Sequence, residues 1–136
     1  MESTGHIKKA QSNEKFRKEI CHCFDDQFFD WKTTVCFYEA IHWLRALAQH
    51  RRVDIGRYHE DIKRNIDSNN PQATMVIENY AKKAYQVLYK NSQSARYEPC
   101  IGDIDDNEIY SSMFKHSEEK LREFRTYIDK QGFTIS

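Results

Sequence analysis

The sequence predicts an all-α protein, an up-and-down bundle of about five helices. Three observations carry this reading. The 136 residues include only four Gly and two Pro, too few turn formers for a sandwich or barrel. Apolar residues recur at helical spacing over long stretches. One of those stretches, starting at Asp30, is apolar on almost every side, which suits a helix at the centre of a bundle. The length fits a single domain over residues 1–136, with its core between about 6 and 130.

The first helix is expected from about His6 to Phe24, with Ile7, Ala10, Phe16 and Ile20 at helical spacing. The turn Asp25–Asp30 ends it, and Asp30 is placed to cap the second helix. That helix, Trp31 to about His50, carries Trp31, Val35, Phe37, Tyr38, Ile41, Trp43, Leu44 and Leu47. Glu39, His42 and Arg45 interrupt them at three-residue steps. Such steps keep side chains on one face, so an acid, an imidazole and a guanidinium share a stripe. Burying charge is costly unless it is paired, so this stripe needs either a structural partner or a task.

Arg51–Gly56 reads as a loop, followed by a short third helix from about Tyr58 to Ile66. Asp67-Ser68-Asn69-Asn70-Pro71 breaks it. Asn70-Pro71 then supplies a cap and a first-position proline for a fourth helix reaching about Asn91. The stripe there is Met75, Ile77, Tyr80, Ala81, Ala84, Val87 and Leu88. Ser92–Gly102 reads as a loop, and Asp103 or Asp105 as the cap of the fifth helix. Its stripe is Ile109, Met113, Phe114, Leu121, Phe124 and Ile128, with Gly132 as the stop.

Charge narrows the function. Basic and acidic residues number 21 each, for a net charge of zero, which argues against a chain-wide basic field for nucleic acid. The charge is uneven, however. Lys82, Lys83, Lys90 and Arg96 lie in a stretch without acids. Arg51, Arg52, Arg57, Lys63 and Arg64 outnumber Asp54, Glu60 and Asp61, while Asp103, Asp105, Asp106 and Glu108 form an acidic cluster. These are either solvated surface or, locally, an anion site.

Cys21, Cys23, Cys36 and Cys100 follow no disulfide framework. Cys21-His22-Cys23 is too tight for a zinc knuckle and has no second pair, so reduced thiols are expected. Glu39-x-x-His42 matches part of a di-iron bundle's ligand set, but such sites need further carboxylates as well, and no metal site of this type is expected. No metal or other cofactor is expected. Neither an apolar signal region nor a long uncharged apolar run is present, so the expectation is a cytoplasmic protein without a membrane segment.

Three sets of residues can carry chemistry. Glu39, His42 and Arg45 are either an acid/base with a cation on a rigid helix, or a buried polar network. Arg52 and His59, with Arg57 and Arg64 nearby, can neutralise a phosphate and move a proton. That combination suits metal-free RNA cleavage by the ribose 2′-hydroxyl; its bland counterpart is a solvated loop and helix start. Arg96, in Ser94-Ala95-Arg96-Tyr97, either pairs with Glu39 across the bundle or points at an anion.

Taken together, Asn13-Glu14-x-Phe16, Asp30-Trp31, Phe37-Tyr38-Glu39-Ala40-Ile41-His42, His59 and Ser92/Ser94-Ala95-Arg96-Tyr97 resemble small prokaryotic proteins of the HEPN-like superfamily. The resemblance spans about residues 6–130. It implies a bundle of four or five helices that dimerises. Many such proteins are metal-independent ribonucleases of toxin–antitoxin or other defence systems, with an Arg followed four to six residues later by His, duplicated across the dimer. Others bind nucleotides or partners without turnover. Arg52 and His59 are taken as the Arg–His pair here.

The expected function is therefore a non-catalytic module binding a nucleotide, RNA or an antitoxin-type protein. The alternative is a metal-independent endoribonuclease. His59 or His42 would serve as its acid/base, and Arg52 or Arg96 would bind phosphate. Glu39, His42, His59, Arg96 and Tyr97 are expected to converge in one pocket, with Arg64 contributing to binding.

Overall fold

A computed structural model describes residues 4–97 and 106–133, without the side chains of residues 4, 97, 106 and 107. Among these residues there are five helices and no strand: α1 (Thr4–Cys23), α2 (Phe29–Arg51), α3 (His59–Asn65), α4 (Asn79–Tyr97) and α5 (Asp106–Asp129). The all-α expectation holds.

Contacts fix the directions. Lys32 meets Phe24 at one end of α1–α2 and His42 meets His6 at the other, so these helices are antiparallel. Phe37 packs on Tyr85 and Tyr89, while Asp30 and Trp31 at the start of α2 share a groove with Ala95 and Arg96 at the end of α4, which again makes an antiparallel pair. Tyr80 faces Tyr127 and Asn91 faces Ser117, so α4 and α5 also run oppositely. The result is an up-and-down arrangement with α2 packed against α1, α4 and α5.

The central placement of α2 follows from its composition. Phe29, Val35, Cys36, Phe37, Ala40, Trp43, Leu44 and Leu47 are all buried, and apolar residues around most of its circumference need neighbours on several sides. Lys32 is buried as well. Its ammonium donates to the Phe24 carbonyl and lies 4.6 Å from the Phe29 ring centre. It thus serves a carbonyl at the end of α1, where a cation is favoured.

Several expected boundaries move. Asp30 does not cap α2. That position belongs to Phe28, which is left-handed (φ 60) and makes no side-chain cap. Asp30 lies inside the first turn, where its carboxylate accepts the Trp31 N–H at 2.9 Å. Asn70-Pro71 does not start α4. Residues 66–78 fold back on α3 instead: the N–H groups of Met75 and Ile77 donate to the Asn65 and Ile66 carbonyls at 2.9 and 3.3 Å. This buries Met75 and Ile77 before the helix begins. At the other end α4 runs through Ser92 to Tyr97, and the side chains of Ser92 and Arg96 donate back to the Tyr89 and Ser92 carbonyls of the same helix. The remainder of the expected loop, with Cys100 and the caps Asp103 or Asp105, lies outside the described residues.

The α2–α3 loop has one obligatory glycine. Gly56 has φ +92, and a Cβ there would sit 2.3 Å from that of Asp61, so a side chain is excluded sterically and conformationally. This tight turn presents the Gly56 and Arg57 carbonyls towards α2.

Candidate functional site on the open seam of the central helix

Between Trp31 and Gln49, only Trp31, Tyr38, Ile41, His42, Arg45 and Gln49 of α2 escape full burial. Five of these six fall on a single line. Steps of seven, four, three and four residues from Trp31 return to nearly the same angle of the helix. The central helix is therefore covered except along one seam, and that seam is made of Trp, Tyr, His, Arg and Gln. From α1, His6 and Lys9 border it; from α4, Arg96 does.

The richest chemistry lies at the end nearer Gln49. His6 and His42 stack with ring centres 5.2 Å apart, and their Nδ1 atoms are 3.0 Å apart. A contact that short between imidazole nitrogens requires one to donate a proton and the other to accept it. Both rings sit below the ordinary imidazole value. For His42 burial is the chief cause, reinforced by His6, Lys9 and Arg45, and its value falls to about 4. For His6 the causes are burial and then Arg45. Both rings are thus neutral near pH 7, beside permanent cations.

Arg45 is fixed by the turn that follows α2. Its two terminal nitrogens donate to the Gly56 carbonyl at 3.2 Å and the Arg57 carbonyl at 2.9 Å. A groove of about 280 Å³ is lined by Gly5, His6, Lys9, His42 and Gln49, with no carboxylate. A second, of about 150 Å³, shares His6 and Gln49 and adds Arg45 and Asp54. The Asp54 carboxylate already accepts the Gly56 N–H at 2.8 Å. The Gln49 Oε1 is buried and has no donor among the described residues.

The expected single pocket does not form. Glu39 is 2% exposed and faces away from the seam. It accepts from Arg17 at 2.8 Å, and Arg17 also lies 3.5 Å from Glu118. Burial raises the Glu39 carboxyl, while the Arg17 guanidinium holds it down. The partner of Glu39 is therefore Arg17, not Arg96. Three-residue steps fall short of a full turn, so Glu39 and Arg45 lie about 120° apart around the axis; the presumed common stripe spreads over two flanks.

Arg96 donates to the Tyr38 hydroxyl at 3.0 Å and to the Ser92 carbonyl at 3.3 Å. His59 lies face to face on Tyr89, with its Nδ1 3.2 Å from the Tyr85 hydroxyl. Burial is the main cause of its lowered pKa, and the charges bearing on it are Glu60 and Lys63, not Arg52. Arg52 is exposed and ends α2 in a left-handed conformation (φ 58). Arg64 pairs with Asp61 at 2.7 Å on the surface. The side chain of Tyr97 lies outside the described residues.

Sequence reasoning missed His6, Lys9 and Gln49. Gln49 was accessible, since it continues the line through Trp31, Tyr38, His42 and Arg45. His6 and Lys9 were not, because they join the site only through the pairing of α1 with α2. The Arg–His spacing was also misread: Arg52 and His59 are seven residues apart, whereas Arg45 and His50 are five apart. The fold does not join that second pair, because His50 stacks on Phe133 with ring centres 5.1 Å apart.

Among the described residues, no group of three or more His, Cys, Asp or Glu could hold a metal ion, and no helix is long and apolar enough to cross a membrane. No protein-family model, no curated protein and no solved structure matches the chain.

Proposed function

We propose that this protein is a nucleotide- or RNA-binding module that takes a phosphate in the groove of His6, Lys9, His42 and Gln49, with Arg45 in the adjoining groove. One observation carries the reading: two imidazoles share a short contact in a groove whose one charged side chain is Lys9 and which has no acid, with Arg45 in the adjoining groove. Cations favour an anion there. A phosphate also suits imidazoles held neutral by burial, because its charge offsets their cost of protonation and its oxygens accept from them. Binding should then take up protons. Affinity for a short oligonucleotide, measured by calorimetry in buffers of different ionisation enthalpy, should rise as pH falls below 6.5 towards about 4, the two ends of the His42 shift. Affinity independent of pH, or unchanged by Lys9→Ala, would sink the reading.

The same pair supports a second reading, a metal-independent endoribonuclease. With a phosphate bound, one imidazole can take up an extra proton while the other stays neutral, which supplies the acid and the base that such cleavage requires. Labelled RNA incubated with the protein in EDTA separates the two. Cleavage abolished by His42→Ala makes the site catalytic; intact RNA that stays bound leaves a binding module. The ordered motifs further support a homodimer with an antitoxin-type partner as the setting of either activity. A monomer by light scattering at working concentration would remove that part.

A further inference from the structure

We infer that Trp31 and Tyr38 form a base-stacking subsite on the seam, so that the ligand is a single-stranded oligonucleotide and not a mononucleotide. The inference rests on the phosphate-binding reading of the His6–His42 groove and names the ligand class for the rest of the same face.

Trp31 and Tyr38 are 58% and 40% exposed, on a helix whose other aromatic residues between them and Arg51, Phe37 and Trp43, are 4% and 0% exposed. Exposed aromatic rings in line with cations are how proteins hold single strands, because every base has a face to stack and every linkage a charge to neutralise. The two rings are seven residues apart, about 10 Å along the helix, and Trp31 lies about 16 Å from His42. A mononucleotide with its phosphate between His6 and His42 cannot reach Trp31, whereas an oligonucleotide can.

Charge and shape point the same way. Arg96 places its guanidinium 5.5 Å from the Tyr38 ring centre. A groove of about 230 Å³ is lined by Asp30, Trp31, Thr34, Ala95 and Arg96, so it opens directly beside Trp31. Its one carboxylate, Asp30, already accepts the Trp31 N–H, and the Thr34 hydroxyl donates to the Asp30 carbonyl. Arg96, Arg45 and Lys9 thus accompany the aromatic rings along the seam, with Asp30 at one end and Asp54 at the other.

The full-length protein is titrated with a ten-nucleotide oligouridylate and, separately, with uridine monophosphate. Trp31 emission is the readout, since Trp43 is buried. Oligouridylate should quench the emission and bind at least tenfold more tightly than the monophosphate. Trp31→Ala and Tyr38→Ala, read by anisotropy of labelled RNA, should each weaken the oligonucleotide about tenfold, and Trp31→Ala should leave the monophosphate unaffected. Trp31 is largely exposed, so Trp31→Ala should keep its melting temperature; Tyr38→Ala gives up the bond from Arg96, so Tyr38→Phe, which keeps the ring and should keep oligonucleotide affinity, is measured beside it.

Three results overturn the subsite. Wild-type oligonucleotide affinity in both alanine variants, with binding lost in Lys9→Ala, removes the subsite and leaves the phosphate groove standing. Emission that follows protein dilution and not added RNA assigns the aromatic face to a second copy of the chain. Failure of both ligands to bind removes the phosphate reading and the subsite with it.

Discussion

Two clusters of ionisable groups flank the central helix, and they solve burial in opposite ways. On one flank Glu39 meets Arg17, Arg17 meets Glu118, and Glu14 meets Arg125 at 2.8 Å, while Arg125 lies 4.1 Å from the Trp43 ring centre. Acids and cations alternate, so each buried charge has a partner. On the other flank His6 and His42 line a groove with Lys9 and no carboxylate, and Arg45 stands in the adjoining groove, where the one acid, Asp54, already accepts the Gly56 N–H. There the cost of burial is met by leaving the imidazoles neutral. A balanced network locks three helices together and leaves little for a ligand to gain. An unbalanced one holds its structure through neutrality and offers a potential that a ligand can satisfy. Residues three apart on one helix, Glu39 and His42, thus belong to different kinds of site.

The largest effect should come from breaking the balanced flank. Glu39→Ala leaves the Arg17 guanidinium largely buried without its carboxylate and should cost on the order of 3 kcal/mol in urea denaturation. Replacing both partners, Arg17→Met with Glu39→Leu, should recover most of that loss, because an apolar pair removes two desolvation costs at once. A double variant no better than the single one would show that Glu39 matters for some reason other than its pairing.

His42→Leu should do the reverse. It removes a half-buried polar group that no acid needs, so stability near pH 7 should stay level or rise slightly. Oligonucleotide affinity, by contrast, should fall about tenfold, the equivalent of about 1.4 kcal/mol. Destabilisation as large as that of Glu39→Ala would erase the distinction between the flanks.

A smaller effect, but one specific in sign, concerns pH. The pKa of His42 is lowered on folding from 6.5 to about 4. Between those values the unfolded chain binds more protons than the native one, so native stability falls as pH drops through that window. Thermal melts should show this loss in the wild type and a flatter profile in His42→Leu. Ligand affinity should run the other way over the same range. An identical slope in the two proteins would mean that another group governs the acid response.

The smallest effect tests Arg52. Its left-handed conformation at the end of α2 favours glycine, so Arg52→Gly should stabilise the fold by about 0.5 kcal/mol. It should leave ligand binding unchanged, since Arg52 lies outside the seam's grooves. Loss of RNA binding or cleavage in this variant would restore Arg52 to the site.

The helices themselves were legible because the periodicity is local. The bounds expected for α2 and α3 fall within about two residues of those observed, since caps aside, an apolar pattern with few turn formers leaves the backbone one way to bond. The start of α4 was not legible. Asn70-Pro71 is a sound local start signal, but Met75 and Ile77 gain more by folding back on Asn65 and Ile66, a bond to a segment ten residues away. Local capping chemistry lost there to tertiary burial.

The candidate site divides along the same line. The sequence by itself determined that a helix apolar on most sides carries Glu39, His42 and Arg45, because the period of a helix is a property of the backbone alone. Only the tertiary structure decided which of them are paired. Arg17, itself held by Glu118, reaches Glu39, and His6 and Lys9 reach His42, because α1 and α5 pack at particular rotations against α2. Those rotations are set by the fit of whole side-chain surfaces, to which no single residue's spacing gives access. Whether a charge is a strut or a contact point depends on what faces it, and that is decided across the bundle, not along the chain.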